Sequence, residues 1–135
     1  MADKSYFLEI VTPQRITFSG SVLSFSAPGV EGGFQVLTHH APLLTMLAIG
    51  EVKVVQHDGT TLHYATSGGF VEVRDNKVIL LAETAELSTA IDVPRAEAAR
   101  DRAKGRLAKK DPDMDVDRAR ASLHRALNRL KIAAS

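Results

Sequence analysis

The chain has 135 residues, no cysteine and no tryptophan, with 17 Lys or Arg against 16 Asp or Glu. That length is one ordinary domain, or a small domain with an appendage, and the lack of cysteine excludes a disulfide framework and thiolate catalysis. The near-neutral total conceals an asymmetry: residues 1–87 carry 5 basic and 9 acidic groups, whereas residues 88–135 carry 12 basic and 7 acidic groups.

The start, Met1-Ala2-Asp3-Lys4-Ser5-Tyr6, has no basic segment followed by an apolar run, so no secretory signal is expected. From Tyr6 to Ala82 apolar and polar residues alternate with period two in short runs broken by glycine and turn residues, the pattern of an antiparallel sheet protein. Strands are predicted over Tyr6–Val11, Arg15–Ser19, Val22–Ala27, Phe34–Leu37, Gly50–His57, Thr61–Ala65, Gly69–Arg74 and Lys77–Ala82. His57-Asp58-Gly59-Thr60 and Arg74-Asp75-Asn76-Lys77 read as two-residue hairpin turns, the first pairing His57 with Thr60. About eight to ten strands at this spacing imply a sandwich or flattened barrel, because a single sheet leaves one apolar face in water. The apolar stretches Ala41–Gly50 and Val78–Ala82 fall short of the roughly 20 residues that span a bilayer.

At Ile91-Asp92-Val93-Pro94-Arg95-Ala96 the alternation stops and an alanine-rich, charged helical pattern begins. Asp92 is placed to cap the helix and Pro94 to sit in its first turn, where a missing amide hydrogen costs no hydrogen bond. The stripe Val93, Ala96, Ala99, Ala103 and Leu107 gives one amphipathic helix, and Val116, Ala119, Leu123, Ala126, Leu127 and Leu130 give a second. Between them, Lys109-Lys110-Asp111-Pro112-Asp113 ends one helix with cations and opens the next with anions, matching the dipole at each end. The predicted architecture is an all-β sandwich of about ten strands over residues 1–87, followed by an antiparallel helical hairpin over residues 88–135. Alanine faces bury little area at about 25 cal/mol per Å², so the hairpin is expected to be marginal without support.

Arg125 and Arg129 stand one turn apart, where like charges oppose each other unless an anion intervenes. Folding the hairpin about Asp111 sets Arg95 beside both, and three guanidinium groups next to a helix start suit a polyphosphate. The bland alternative for a basic helix is a solvated face. The five histidines, His39, His40, His57, His63 and His124, form no metal-ligand pattern. The glycines at 29, 32, 33, 68 and 69 precede no Gly-Lys-Ser/Thr sequence and read as turns and bulges. With no evident serine–histidine pair and no convincing pair of catalytic carboxylates, an enzyme is the least supported class.

The chain resembles the epsilon subunit of bacterial and chloroplast F-type ATP synthases. The resemblance rests on His40-Ala41-Pro42-Leu43-Leu44, Ser67-Gly68-Gly69-Phe70-Val71-Glu72-Val73 and Ala126-Leu127-Asn128-Arg129-Leu130. It implies a ten-stranded sandwich seated on the central stalk, with the gamma subunit, the membrane rotor ring and the alpha/beta catalytic head as partners. It further implies a non-catalytic subunit that couples proton flow to ATP synthesis and inhibits hydrolysis through its hairpin. The location implied is peripheral, on the cytoplasmic face of the bacterial plasma membrane, with membrane contact only through the complex. No cofactor is required, and ATP is the implied regulatory ligand, bound in some members by an Ile/Leu-Asp-x-x-Arg-Ala motif and two later arginines. Those positions are Ile91, Asp92, Arg95, Ala96, Arg125 and Arg129 here, with Glu86 as a further nucleotide contact.

Departures from the family pattern are Val36-Leu37-Thr38-His39 where Leu-Pro-Gly-His is common, Gly33 where an acidic residue is common, and Pro94 inside the nucleotide motif. Glu31 and His40 are the expected partner contacts, with Glu31 substituting for the acidic residue. Two other classes remain open. A nucleic-acid module would use the basic helices, against which Asp101, Asp115 and Asp117 are interleaved and the tail offers no aromatic residue for base stacking. A stand-alone nucleotide-dependent enzyme would need a general base and a metal site that the sequence does not display.

Overall fold

The computed structural model describes residues 4–135. Nine strands occur among them: β1 (Tyr6–Val11), β2 (Ile16–Gly29), β3 (Gly32–Val36), β4 (Leu43–Leu47), β5 (Gly50–Gln56), β6 (Thr61–Thr66), β7 (Gly69–Arg74), β8 (Lys77–Ala82) and β9 (Ala85–Leu87). A 3-10 turn at Ser88–Ala90 leads into α1 (Val93–Lys109) and α2 (Val116–Ala133). The strand order is β1-β8-β7-β4-β2-β5-β6-β9, with β3 alongside β2. β1 pairs in parallel with β8 and antiparallel with the first half of β2, joining the two layers along one edge.

The predicted runs Arg15–Ser19 and Val22–Ala27 are one 14-residue strand, and with β4 and β9, which the predicted runs lack, the count among the described residues is nine, within the expected eight to ten. Gly20 and Ser21 do not end it because both sit in the ladder, opposite Leu8 and Phe7. The strand serves both layers: its first half pairs with β1, its second with β3 and β5, and its last residue, Gly29, pairs with Leu47 of β4. Period-two alternation, its phase shifted in β2 by an irregularity between Val22 and Ser24, puts Leu8, Ile10, Val22, Phe25, Val52, Val54, Val71, Val73, Val78 and Leu80 into one core, each no more than 2% exposed. Tyr6 enters this core because its hydroxyl donates to Val36 O at 2.6 Å, and burial pushes the phenol pKa above its ordinary value.

The two predicted turns differ. Asp75 and Asn76 both adopt positive φ, as a two-residue loop between right-twisted strands demands. At the other turn Gln56 N donates to Thr60 O, so Gln56 rather than His57 faces Thr60 and the loop has three residues. Gly59, at φ 91°, supplies the extra left-handed residue. Asp58 stabilises it by accepting from Thr60 N and Oγ1, which holds its carboxyl pKa below the usual value.

Both helices start on a capped aspartate: Asp92 accepts from Arg95 N and Asp115 from Arg118 N, each at 3.1 Å. α1 ends where Lys110 turns left-handed. Ala96 and Ala103 of α1 and Ala119 and Ala126 of α2 are buried, so small side chains let the helices approach closely. Val93, Val116 and Leu127, expected in the apolar stripe, are exposed. The two valines are the first residues of their helices, and Leu127 is rotated about 100° from buried Ala126, onto the outer face.

Gly69 gives the clearest test of this sandwich. Its φ is +148°, and an added Cβ would overlap Leu81 O and Ala82 Cα of the neighbouring strand. Gly69→Ala is expected to destabilise the chain by about 2–4 kcal/mol in urea unfolding, through backbone strain and overpacking combined. A midpoint within error of the parent protein would refute this account of the β7–β8 pairing.

Candidate functional site

A cleft of about 430 Å³ opens between the sandwich edge and the foot of the hairpin, lined by Glu86, Ala90, Asp92, Arg95, Ala96, Ala99, Arg102 and Arg129. Three segments build it. β9 contributes Glu86, the capped start of α1 contributes Asp92 and Arg95, and the last turns of α2 contribute Arg129. Ala96 and Ala99 form a wall low enough to leave the cleft open beside the helix start, where Asp92 Oδ1 accepts from Arg95 N, Asp92 O accepts from Ala96 N, and Pro94 has no amide hydrogen.

The hairpin reaches this position through few contacts. Asn128 Nδ2 donates to Gly50 O at 2.8 Å, Arg129 Nε donates to Glu86 Oε1 at 2.6 Å, and Ile132 packs with Ala65 and Ile91 in a small apolar cluster. Ile91 thus serves as the floor of the hairpin's seat. Asp92 is committed to capping, its Oδ1 engaged by Arg95 N. Arg95 is exposed at the mouth of the cleft.

Arg125 is placed differently from the sequence expectation. Its Nη2 donates to Ser122 Oγ at 3.2 Å, and it does not line the cleft. The predicted centre of symmetry, Asp111, is slightly too early: α1 ends at Lys109 and α2 begins at Val116, so Arg95 lies level with Leu130 and Arg129 with Ala96. Arg125 is one turn farther toward the hairpin tip. Arg102 is a further cation of the cleft lining that sequence reasoning missed. The signal was present, since Arg95, Ala99 and Arg102 recur at helical spacing on one face of α1.

Of the expected partner contacts, Glu31 is exposed on the β2–β3 turn, where neighbouring Val30 N bonds Met46 O. His40 stands three residues before β4, with Nδ1 2.6 Å from Ala41 O. The two therefore fall near opposite ends of β4. No group of three or more potential metal ligands occurs among the described residues.

Chemically, the cleft offers three guanidinium groups beside two carboxylates, Glu86 paired with Arg129 and Asp92 engaged in capping, an arrangement suited to a multiply charged anion carrying a hydrogen-bonding group. Arg102→Ala is expected to weaken binding of tripolyphosphate about tenfold, the effect of losing one charge-assisted contact, while Arg125→Ala has a smaller effect. Isothermal titration of the two variants side by side checks this. A larger loss at position 125 would refute the assignment.

The residues 5–88 match the family model described as ATP synthase, Delta/Epsilon chain, beta-sandwich domain, and residues 90–134 match its long alpha-helix domain. The chain is 57% identical over 133 residues to the ATP synthase epsilon chain of Pelotomaculum thermopropionicum, covering 98% of each. It is 45% identical over 130 residues to that of Desulforamulus reducens, covering 96% of this chain and 98% of the relative. In structure it is similar to a chain of the Euglena gracilis mitochondrial ATP synthase solved by cryo-EM with its OSCP, F1 and c-ring. The TM-score is 0.84 at 21% identity, over 100% of this chain and 84% of that one. A chain of the Tetrahymena thermophila mitochondrial ATP synthase central stalk and c-ring gives 0.59 at 14% identity, over 94% and 95%. The chain belongs to the ATP synthase delta/epsilon family, and the epsilon chain is a non-catalytic subunit of that complex.

Proposed function

We propose that this chain works in the central stalk of a proton-translocating F-type ATP synthase, where it couples proton flow to ATP synthesis and restrains ATP hydrolysis through a mobile C-terminal hairpin that binds ATP. Its partners in this reading are the gamma subunit, the membrane rotor ring and the alpha/beta catalytic head. It is peripheral on the cytoplasmic face of the bacterial plasma membrane and touches the membrane only through the complex. No helix among the described residues is long and apolar enough to cross a bilayer, which accords with a peripheral subunit.

The observation that carries the regulatory part is the cleft itself, whose walls come from two bodies joined by a narrow seat. Arg95, Arg102 and Arg129 face Glu86 there only while the hairpin lies on the sandwich. A ligand that binds this closed arrangement stabilises it by RT ln(1 + [ATP]/Kd), about 2.7 kcal/mol at a hundredfold excess over Kd. When ATP is scarce that contribution disappears and the basic hairpin is held only by its small seat, for which acidic surfaces in the catalytic head compete. The stalk role draws support from the outer face of the sandwich. Met46, Phe70 and Leu81 are cross-strand neighbours on β4, β7 and β8, each about half exposed, and Leu44 on the same face is 70% exposed. A contiguous exposed apolar row of this kind suits a stable partner surface.

Two measurements test the proposal. Isothermal titration of the purified chain with ATP is expected to show saturable binding, and a flat titration removes the ligand. Deleting residues 88–135 is expected to raise ATP hydrolysis by the assembled enzyme while proton coupling persists. Unchanged hydrolysis removes the inhibitory role.

A further inference from the structure

The cleft already holds an anion of its own. Glu86 Oε1 receives Arg129 Nε at 2.6 Å, and the two side chains are 36% and 28% exposed, so the pair is partly sheltered from water. Among the described residues neither Arg95 nor Arg102 makes an ion pair, so Glu86 neutralises one cation of the cleft and leaves two open. The position of this pair matters as much as its charge. Glu86 lies opposite Ala65 in the β6–β9 ladder, and Ala65 is the residue on which Ile132 rests. The ion pair thus joins the sandwich to the hairpin at the edge of the hairpin's small apolar seat.

We propose that Glu86 is a built-in substitute for the ligand: in the empty cleft its carboxylate holds Arg129 and keeps the hairpin latched, and an incoming polyphosphate takes over that guanidinium. One anion replaces another, so Arg129 remains neutralised in both states and the hairpin stays seated during the exchange. The handover rests on the nucleotide reading of the cleft, whereas the latch stands without it. The arrangement also makes the empty hairpin sensitive to ionic strength, because a partly exposed pair is screened by salt.

Hydrogen exchange of α2 amides in the full-length chain tests both halves, with inorganic tripolyphosphate as the probe. Without ligand, Glu86→Gln is expected to speed exchange in residues 126–133 about two- to fivefold, with sandwich amides unchanged as the internal control. The charge swap Glu86→Arg with Arg129→Glu is expected to restore protection. Saturating tripolyphosphate is expected to abolish the difference between Glu86→Gln and the parent chain. Equal exchange without ligand would overturn the latch. A difference that persists at saturation would overturn the handover, since Glu86 would then still be contributing in the bound state. If the parent chain responds to neither tripolyphosphate nor ATP, the nucleotide reading and the handover fall together, and the ligand-free comparison still decides the latch.

Discussion

The attachment of the hairpin through the last turns of α2 governs how the molecule can behave. One amide–carbonyl bond from Asn128, one ion pair from Arg129 and one buried isoleucine make the seat. Burying a side chain such as Ile132 is worth about 1.5–3 kcal/mol, and a partly exposed ion pair adds about 1 kcal/mol or less. Contributions of that size fall within reach of a ligand or a partner surface, whereas a broad apolar interface would fix the hairpin permanently. The alanines between the helices let α1 and α2 pack as a close pair, without large side chains that would need the sandwich to cover them.

The sandwich is built on the opposite plan. Its core is filled by branched and aromatic side chains from both layers, and β1 stitches those layers together by pairing with β2 on one side and β8 on the other. A platform with this closure deforms little, so Gly50 and Glu86 are held in fixed relation to each other through β5, β6 and β9. The cleft is therefore built half from this platform and half from the hairpin. Glu86 belongs to the platform and the three guanidinium groups to the hairpin, so in the proposed reading docking and anion binding are one coupled equilibrium.

Much of this was legible in the sequence where local chemistry decides the outcome. Asp92 and Asp115 announce helix starts because a short carboxylate satisfies an otherwise unpaired amide, and Asp75-Asn76 announces a tight turn because both residues tolerate positive φ. The sequence was less informative where a partner decides. β4 was missed because Leu43–Leu47 has Leu44 and Met46 on its exposed face and so lacks alternation. β9 has three residues and exists because β6 offers it an edge. Arg102 joins the cleft lining because it shares a face of α1 with Arg95, whereas which turn of α2 lies beside Arg95 depends on the length of the hairpin turn, which local pattern does not fix.

A repeated motif shows why such sites cannot be assigned by local pattern alone. Asp92-Val93-Pro94-Arg95-Ala96 and Asp115-Val116-Asp117-Arg118-Ala119 open the two helices with the same spacing, the same capping bond and a buried alanine in the same place. Each copy reads locally as the same capped helix start. The surroundings separate them. The first copy faces β9 and the last turns of α2, which bring Glu86 and Arg129 to it. The second lies at the hairpin tip, beyond any strand of the sandwich, with Asp111, Asp113 and Asp117 repelling anions nearby. The motif specifies a capped helix in both places. Only at the first copy does the fold bring distant cations to the helix start, so the proposed anion site depends on a docked hairpin.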